Sequence, residues 1–162
     1  MLYIDNPNAP AVITSESTSY VSIFGSVVFN YGTSHWFVSV TNQGSIVATS
    51  GAHVNFMLPV SSESVLSAEL ESVISFFNQT NISNYFSVFG RVIFHFDGVV
   101  ENSVISGNGT VMIVAPITLS ISHSNFNFSG SFELFDGHLL IDSIQTQSEA
   151  PSLFFHSILQ CS

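Results

Sequence analysis

Residues 85–98 read YFSVFGRVIFHFDG and residues 20–32 read YVSIFGSVVFNYG, so the chain writes one apolar phrase twice, 65 positions apart. Aligning 20–48 with 85–113 without gaps gives 7 identities in 29 positions, among them Tyr20 with Tyr85, Phe24 with Phe89, Gly25 with Gly90 and Phe29 with Phe94. Repetition of this kind predicts a duplicated β unit with halves at 20–84 and 85–162, in which Gly25 and Gly90 occupy equivalent bends. Within the phrase, period-two alternation places Val92, Phe94 and Phe96 on one face of a strand, and Arg91, Ile93 and His95 on the other. Val27, Phe29 and Tyr31 form the matching face of the first copy.

Further apolar runs at 35–41, 45–49, 53–58, 110–114, 117–123, 126–134 and 138–144 are separated by Gly, Asn and Ser at the rhythm expected of an all-β domain. Asp97-Gly98 and Asp136-Gly137 stand between such runs, which is a hairpin signal because a type I′ turn needs positive φ at both central positions. Together these features predict a mainly β fold, an antiparallel sandwich or jelly roll occupying residues 20–162 as one domain. Residues 61–78 break the pattern: Val65, Leu66, Leu70, Val73, Ile74 and Phe77 recur at helical spacing and predict an amphipathic helix over about 64–77. Pro151 followed by Leu153, Phe154, Ile158 and Leu159 suggests a second, short helix at 151–160.

Residues 1–19 belong to neither half. Short apolar runs, Leu2 to Ile4 and Ala11 to Ile13, flank Asn6-Pro7-Asn8-Ala9-Pro10, which cannot be helical across its prolines. An extended tail with apolar residues and no evident place in its own domain is a candidate donor strand, with Leu2, Ile4, Val12 and Ile13 as anchors.

Charge limits what such a fold can bind. The chain has one cation, Arg91, no lysine, and eleven acidic residues, giving a net charge of −10 at pH 7. Affinity for nucleic acid comes from Lys and Arg displacing counterions, so nucleic acid is excluded as a partner, and a basic membrane-surface helix is excluded for the same reason. No apolar run is long enough to span a bilayer as a helix, and the first residues lack the basic and apolar regions of a secretory signal. Scarce Lys and Arg would also limit self-repulsion in acid, where the carboxylates are protonated.

No reaction is legible. The six histidines, His35, His53, His95, His123, His138 and His156, show no metal-ligand spacing. The nearest carboxylate pairs, Asp97 with Glu101 and Glu69 with Glu71, read as turn and surface residues, and no nucleophile elbow occurs. Gly107-Asn108-Gly109 lacks the lysine of a phosphate loop, and no cofactor is indicated. The reading is therefore a non-enzyme, with no catalytic and no metal residue assigned. Cys161 has no internal partner for a disulfide. Four Asn-X-Ser/Thr sequons, at Asn78, Asn81, Asn108 and Asn127, are candidate glycosylation sites.

The lysine-free β-rich chain, its sequons and the tail MLYIDNPNAPAVITSEST together resemble the subunits of archaeal extracellular filaments, the threads and bundling pili. That resemblance implies a glycosylated structural subunit outside the cell that polymerises with itself by donor-strand complementation, with cell adhesion, biofilm and mating as the roles left open. The alternative is a secreted β sandwich or capsid-like protein that recognises glycans or a cell surface, with an extracellular hydrolase behind both.

Overall fold

The computed structural model describes residues 2–14, 20–49, 51–142 and 155–156. It is strand throughout, and the strands are parallel. Strand β1 (Leu2–Thr14) is followed by a first full turn made of β2 (Tyr20–Ile23) and β3 (Ser26–Phe37). A second turn holds β4 (Ser39–Asn42), β5 (Ser45–Ala48) and β6 (Ala52–Phe56), and a third holds β7 (Val60–Ser62), β8 (Val65–Ala68) and β9 (Val73–Phe76). The fourth consists of β10 (Thr80–Val88) and β11 (Arg91–Phe94), and the fifth of β12 (Gly98–Gly107) and β13 (Thr110–Val114). The sixth contains β14 (Thr118–Ser122), β15 (Asn125–Phe128) and β16 (Ser131–Phe135). Beyond it β17 (His138–Asp142) pairs with β14, and β18 (Phe155–His156) pairs with β16.

Each turn stacks on the one before. Val40 pairs with Val60, Val73 with Arg91, and Val104 with Asn125. The result is a three-sided β-solenoid of about six turns, roughly 29 Å long at about 4.8 Å per turn. A first face carries β2, β4, β7, the start of β10 and of β12, then β14 and β17. A second face runs from the start of β3 through β5, β8, the ends of β10 and β12, to β15. The third holds the end of β3, then β6, β9, β11, β13 and β16.

These connections overturn the sandwich or jelly roll. Every ladder among the described residues is parallel, so none of them forms a hairpin, and Asp97-Gly98 and Asp136-Gly137 are corners between the third and first faces. Asp97 Oδ1 accepts the Thr118 N–H of the next turn at 2.8 Å, and Asp136 takes the left-handed conformation, φ 60°. The helix over 64–77 is also overturned, since this stretch contains β8, a corner at 69–72, and β9. Of the predicted short helix at 151–160, only Phe155–His156 lies among the described residues, and it is extended. No helix of the described residues is long and apolar enough to cross a membrane.

The match between 20–48 and 85–113 is not the structural repeat. Gly25 lies between β2 and β3, at the corner from first to second face, whereas Gly90 lies between β10 and β11, at the corner from second to third. A Cβ at Gly25 would meet nothing within 4 Å, while at Gly90 it would run into the Glu69 and Ser72 carbonyls. The actual unit is a single turn of the coil, much shorter than either proposed half.

Alternation inside each strand decides what enters the core. Val92 and Phe94 are fully buried, but Phe96, next but one along the chain, is 46 % exposed because the strand has ended and the chain has turned. On the third face Trp36, Phe56, Phe76 and Phe94 stack as a column, with ring centroids 5.8, 5.6 and 5.3 Å apart. On the second face Val27, Ile46, Leu66, Phe86, Ile105 and Phe126 form another. Burying one such aromatic stabilises the fold by about 1.5–3 kcal/mol.

Some polar groups inside the coil are paired along the axis and others within their own turn. Asn42 donates from Nδ2 to Ser62 Oγ and to the Val65 carbonyl, both at 2.9 Å, and its Oδ1 accepts the Gly44 N–H at 3.1 Å. Ser124 Oγ accepts the Ser103 N–H and donates to the Ser122 carbonyl. Among the described residues two buried groups are different: Ser34 Oγ and Trp36 Nε1 have no hydrogen-bond partner there. Both lie on β3 where β1 covers it, Ala11 pairing with Ser34 and Ile13 with Trp36.

Candidate functional site

The corner from second to third face changes shape along the coil. In the third turn the segment Glu69 to Ser72 separates β8 from β9, with Glu71 left-handed at φ 63° and Leu70 69 % exposed. In the fourth and fifth turns only Phe89-Gly90 and Asn108-Gly109 make the same corner. The longer corner therefore projects as a lip over two shorter ones. Neither glycine beneath it can be replaced without collision, since a Cβ at Gly109 would run into the Gly90 carbonyl. The step encloses an open cleft of about 350 Å³ whose lining includes Glu71, Phe89, Gly90, Arg91, Gly109 and Thr110.

Arg91, the chain's one cation, thus stands in this cleft. Among the described residues it makes no ion pair. Glu69 is engaged elsewhere, its Oε1 accepting the Ser67 hydroxyl at 2.6 Å. The backbone around the cleft is also occupied: Gly90 N–H bonds to the Ala68 carbonyl, Arg91 N–H to Ser72, and Thr110 N–H to Gly90.

A second cleft of about 310 Å³ lies at the corner from first to second face, lined by Asn84, Asn102, Ser103, Val104, His123 and Asn125. Asn84, Asn102 and His123 are all left-handed, with φ of 82°, 50° and 48°. They turn the chain through the same corner in successive turns, which accounts for their conformation. The third to first corner carries an outer ridge of Phe37, Met57, Phe77, His95 and Phe135; Phe77 and His95 stack at 4.2 Å, 6° from parallel, and burial lowers the His95 pKa.

The candidate glycosylation sites are dispersed. Asn81 is exposed on the first face, Asn127 on the second, and Asn108 at the corner beside the cleft. Asn78 is half-buried, its Oδ1 accepting the Gln79 N–H, and the Thr80 hydroxyl of its sequon is buried and donates to the Asn78 carbonyl. Among the donor-strand anchors, Leu2 pairs with Val27, Ile4 with Phe29, Val12 with His35 and Ile13 with Trp36. Ile13 packs on the core, while Leu2 and Val12 are more than half exposed. His35 and His53 face outward on the third face and His95 stands on the ridge beside it, and no group of three His, Cys, Asp or Glu among the described residues could hold a metal ion. Cys161 lies outside the described residues.

The cleft itself is invisible in the sequence. Gly90 reads there as a bend and Gly109 as part of a turn, and only the unequal corner lengths, seen once the turns are aligned, make them a floor. Comparison with protein-family models, curated proteins and solved structures yields no match, so function has to be argued from this surface.

Proposed function

We propose that the chain is a structural subunit of an extracellular, glycosylated filament, which grows head to tail when residues 1–14 of one copy add a strand to the solenoid of the next. The observation that carries this reading is the poor fit of β1. Its ladder with β3 slips twice, between Ile4 and Asp5 and again between Asn6 and Ala11, whereas the ladders that join β4 to β7, β5 to β8 and β6 to β9 run without a break. Under it lie Ser34 Oγ and Trp36 Nε1, two buried groups without hydrogen-bond partners among the described residues.

Solenoid geometry supports the polymer. Ladder hydrogen bonds run along the coil axis, so an added strand extends a parallel ladder with the backbone alone and needs no charge. Insertion from one copy into the next is heterologous and does not close, which generates fibres. A surface of Ser, Thr and Asn with four sequons suits the outside of such a thread. Negative-stain microscopy of the purified chain should show micrometre-long fibres, and a chain lacking residues 1–14 should give none. Discrete particles from the intact chain, or normal fibres from the truncated one, would defeat the reading.

A further inference from the structure

We propose that the cleft at the corner from second to third face binds a sugar residue bearing a single carboxylate. This is independent of whether the chain polymerises. An Arg guanidinium presents a planar fork that a carboxylate fills with two parallel hydrogen bonds. Arg91 lines the cleft and has no ion pair among the described residues. Its fork is the only one the chain owns.

The remaining walls suit a sugar ring. Phe89, 42 % exposed, offers an apolar surface for the C–H face of a pyranose. Thr110 provides a hydroxyl, and Glu71, on the lip opposite, accepts hydrogen bonds from ring hydroxyls while repelling a second negative charge. Gly90 and Gly109 keep the floor free of side chains, and about 350 Å³ falls within the range of small-ligand sites.

Two competing ligands fit less well. An acidic peptide would need backbone pairing for affinity, but the N–H groups of Gly90, Arg91, Gly109 and Thr110 already bond to carbonyls of the preceding turn. A polyanion is opposed by the net charge of −10. A monosaccharide unit with one carboxylate meets neither obstacle.

The test is an amide-resolved NMR titration of the intact chain at pH 7 with glucuronate, glucose, acetate and N-acetylglutamate amide. Glucuronate should shift Gly90, Arg91, Gly109 and Thr110 saturably, with at least tenfold weaker binding of each of the other three. Arg91→Ser should abolish that preference without changing the melting temperature, Arg91→Lys should retain part of it, and Phe89→Ala should weaken glucuronate several-fold while leaving acetate unchanged. Equal binding of acetate would reduce the cleft to an anion site, and equal binding of the glutamate amide would make it a peptide site. Either result, or a glucuronate response unaltered in Arg91→Ser, overturns the proposal.

Discussion

The first rung and the middle turns solve the same problem differently. From the second turn to the sixth, each strand meets its counterpart one turn on with one register shift, at Ser83 and Asn84 of β10, buried polar groups such as Asn42 and Ser124 are bonded along the axis, and aromatic rings stack in register. Where β1 meets β3 the register slips twice, and two buried polar groups have no partner among the described residues. A solenoid is close to a one-dimensional chain of nearest-neighbour contacts. A mismatch at one rung is therefore confined there, and an imperfect end costs the interior little.

The sharpest way to break this comparison is to damage the interior. Phe76→Ala removes a ring stacked on both sides and should cost about 3–5 kcal/mol in urea unfolding; a loss under about 1 kcal/mol would mean the column is loosely packed. Gly109→Ala should cost about 1–3 kcal/mol, because its methyl group would meet the Gly90 carbonyl and the corner has to shift. Ile13→Ala, at the first rung, should cost only about 1 kcal/mol, since this side chain is part-exposed and its strand is poorly matched.

A pair of serines sharpens the contrast at similar size. Ser34→Ala deletes a buried hydroxyl with no partner among the described residues and should be neutral or stabilise by up to about 1 kcal/mol, whereas Ser124→Ala strands the Ser103 N–H and should destabilise by about 1–2 kcal/mol. Equal effects would remove the distinction between the two regions.

The smallest effect is electrostatic. Burial holds His95 below the ordinary histidine value, so the unfolded chain takes up this proton first as pH falls below about 6.5. The contribution is fully present above that pH and is lost as pH falls through the folded value. Melting temperatures between pH 7 and 5 should fall less steeply in His95→Phe than in the wild type. Parallel curves would show that the Phe77 stack tolerates the cation.

Strands are readable from the sequence, and their arrangement is not. Alternation at Val92 and Phe94 correctly marks inward residues, because the two-residue period is set by the backbone whichever strand lies beside it. Pairing direction is set by the corners, and these are chemically varied: Glu71, Asn84, Asn102, Ala115, His123 and Asp136 all take positive φ without a shared residue type. Turns of unequal length also blur any fixed period, since Val73 to Arg91 is a shorter step than Val104 to Asn125. The phrase at 20–32 and 85–98 recurs because strand, glycine corner and strand serve equally at two different corners.

The false helix has a similar origin. Two short strands interrupted by the corner at 69–72 bring Leu66, Leu70 and Ile74 to helical spacing, though Leu70 is the outermost point of the lip. Arg91 stands out in the sequence as the one cation, but its surroundings depend on Val73 in the turn before and Thr110 in the turn after, which no local window contains.

Hydrogen bonds that run along the coil also decide how the molecule behaves under tension. Force applied along the axis loads the ladder at one edge at a time, so turns peel away singly and the rest of the coil stays shut. Each turn that opens exchanges a thickness of about 4.8 Å for roughly 65–70 Å of extended chain. A thread of such coils would yield under load by lengthening, one turn after another, and would absorb work that a stiffer fibre would transmit to its anchor.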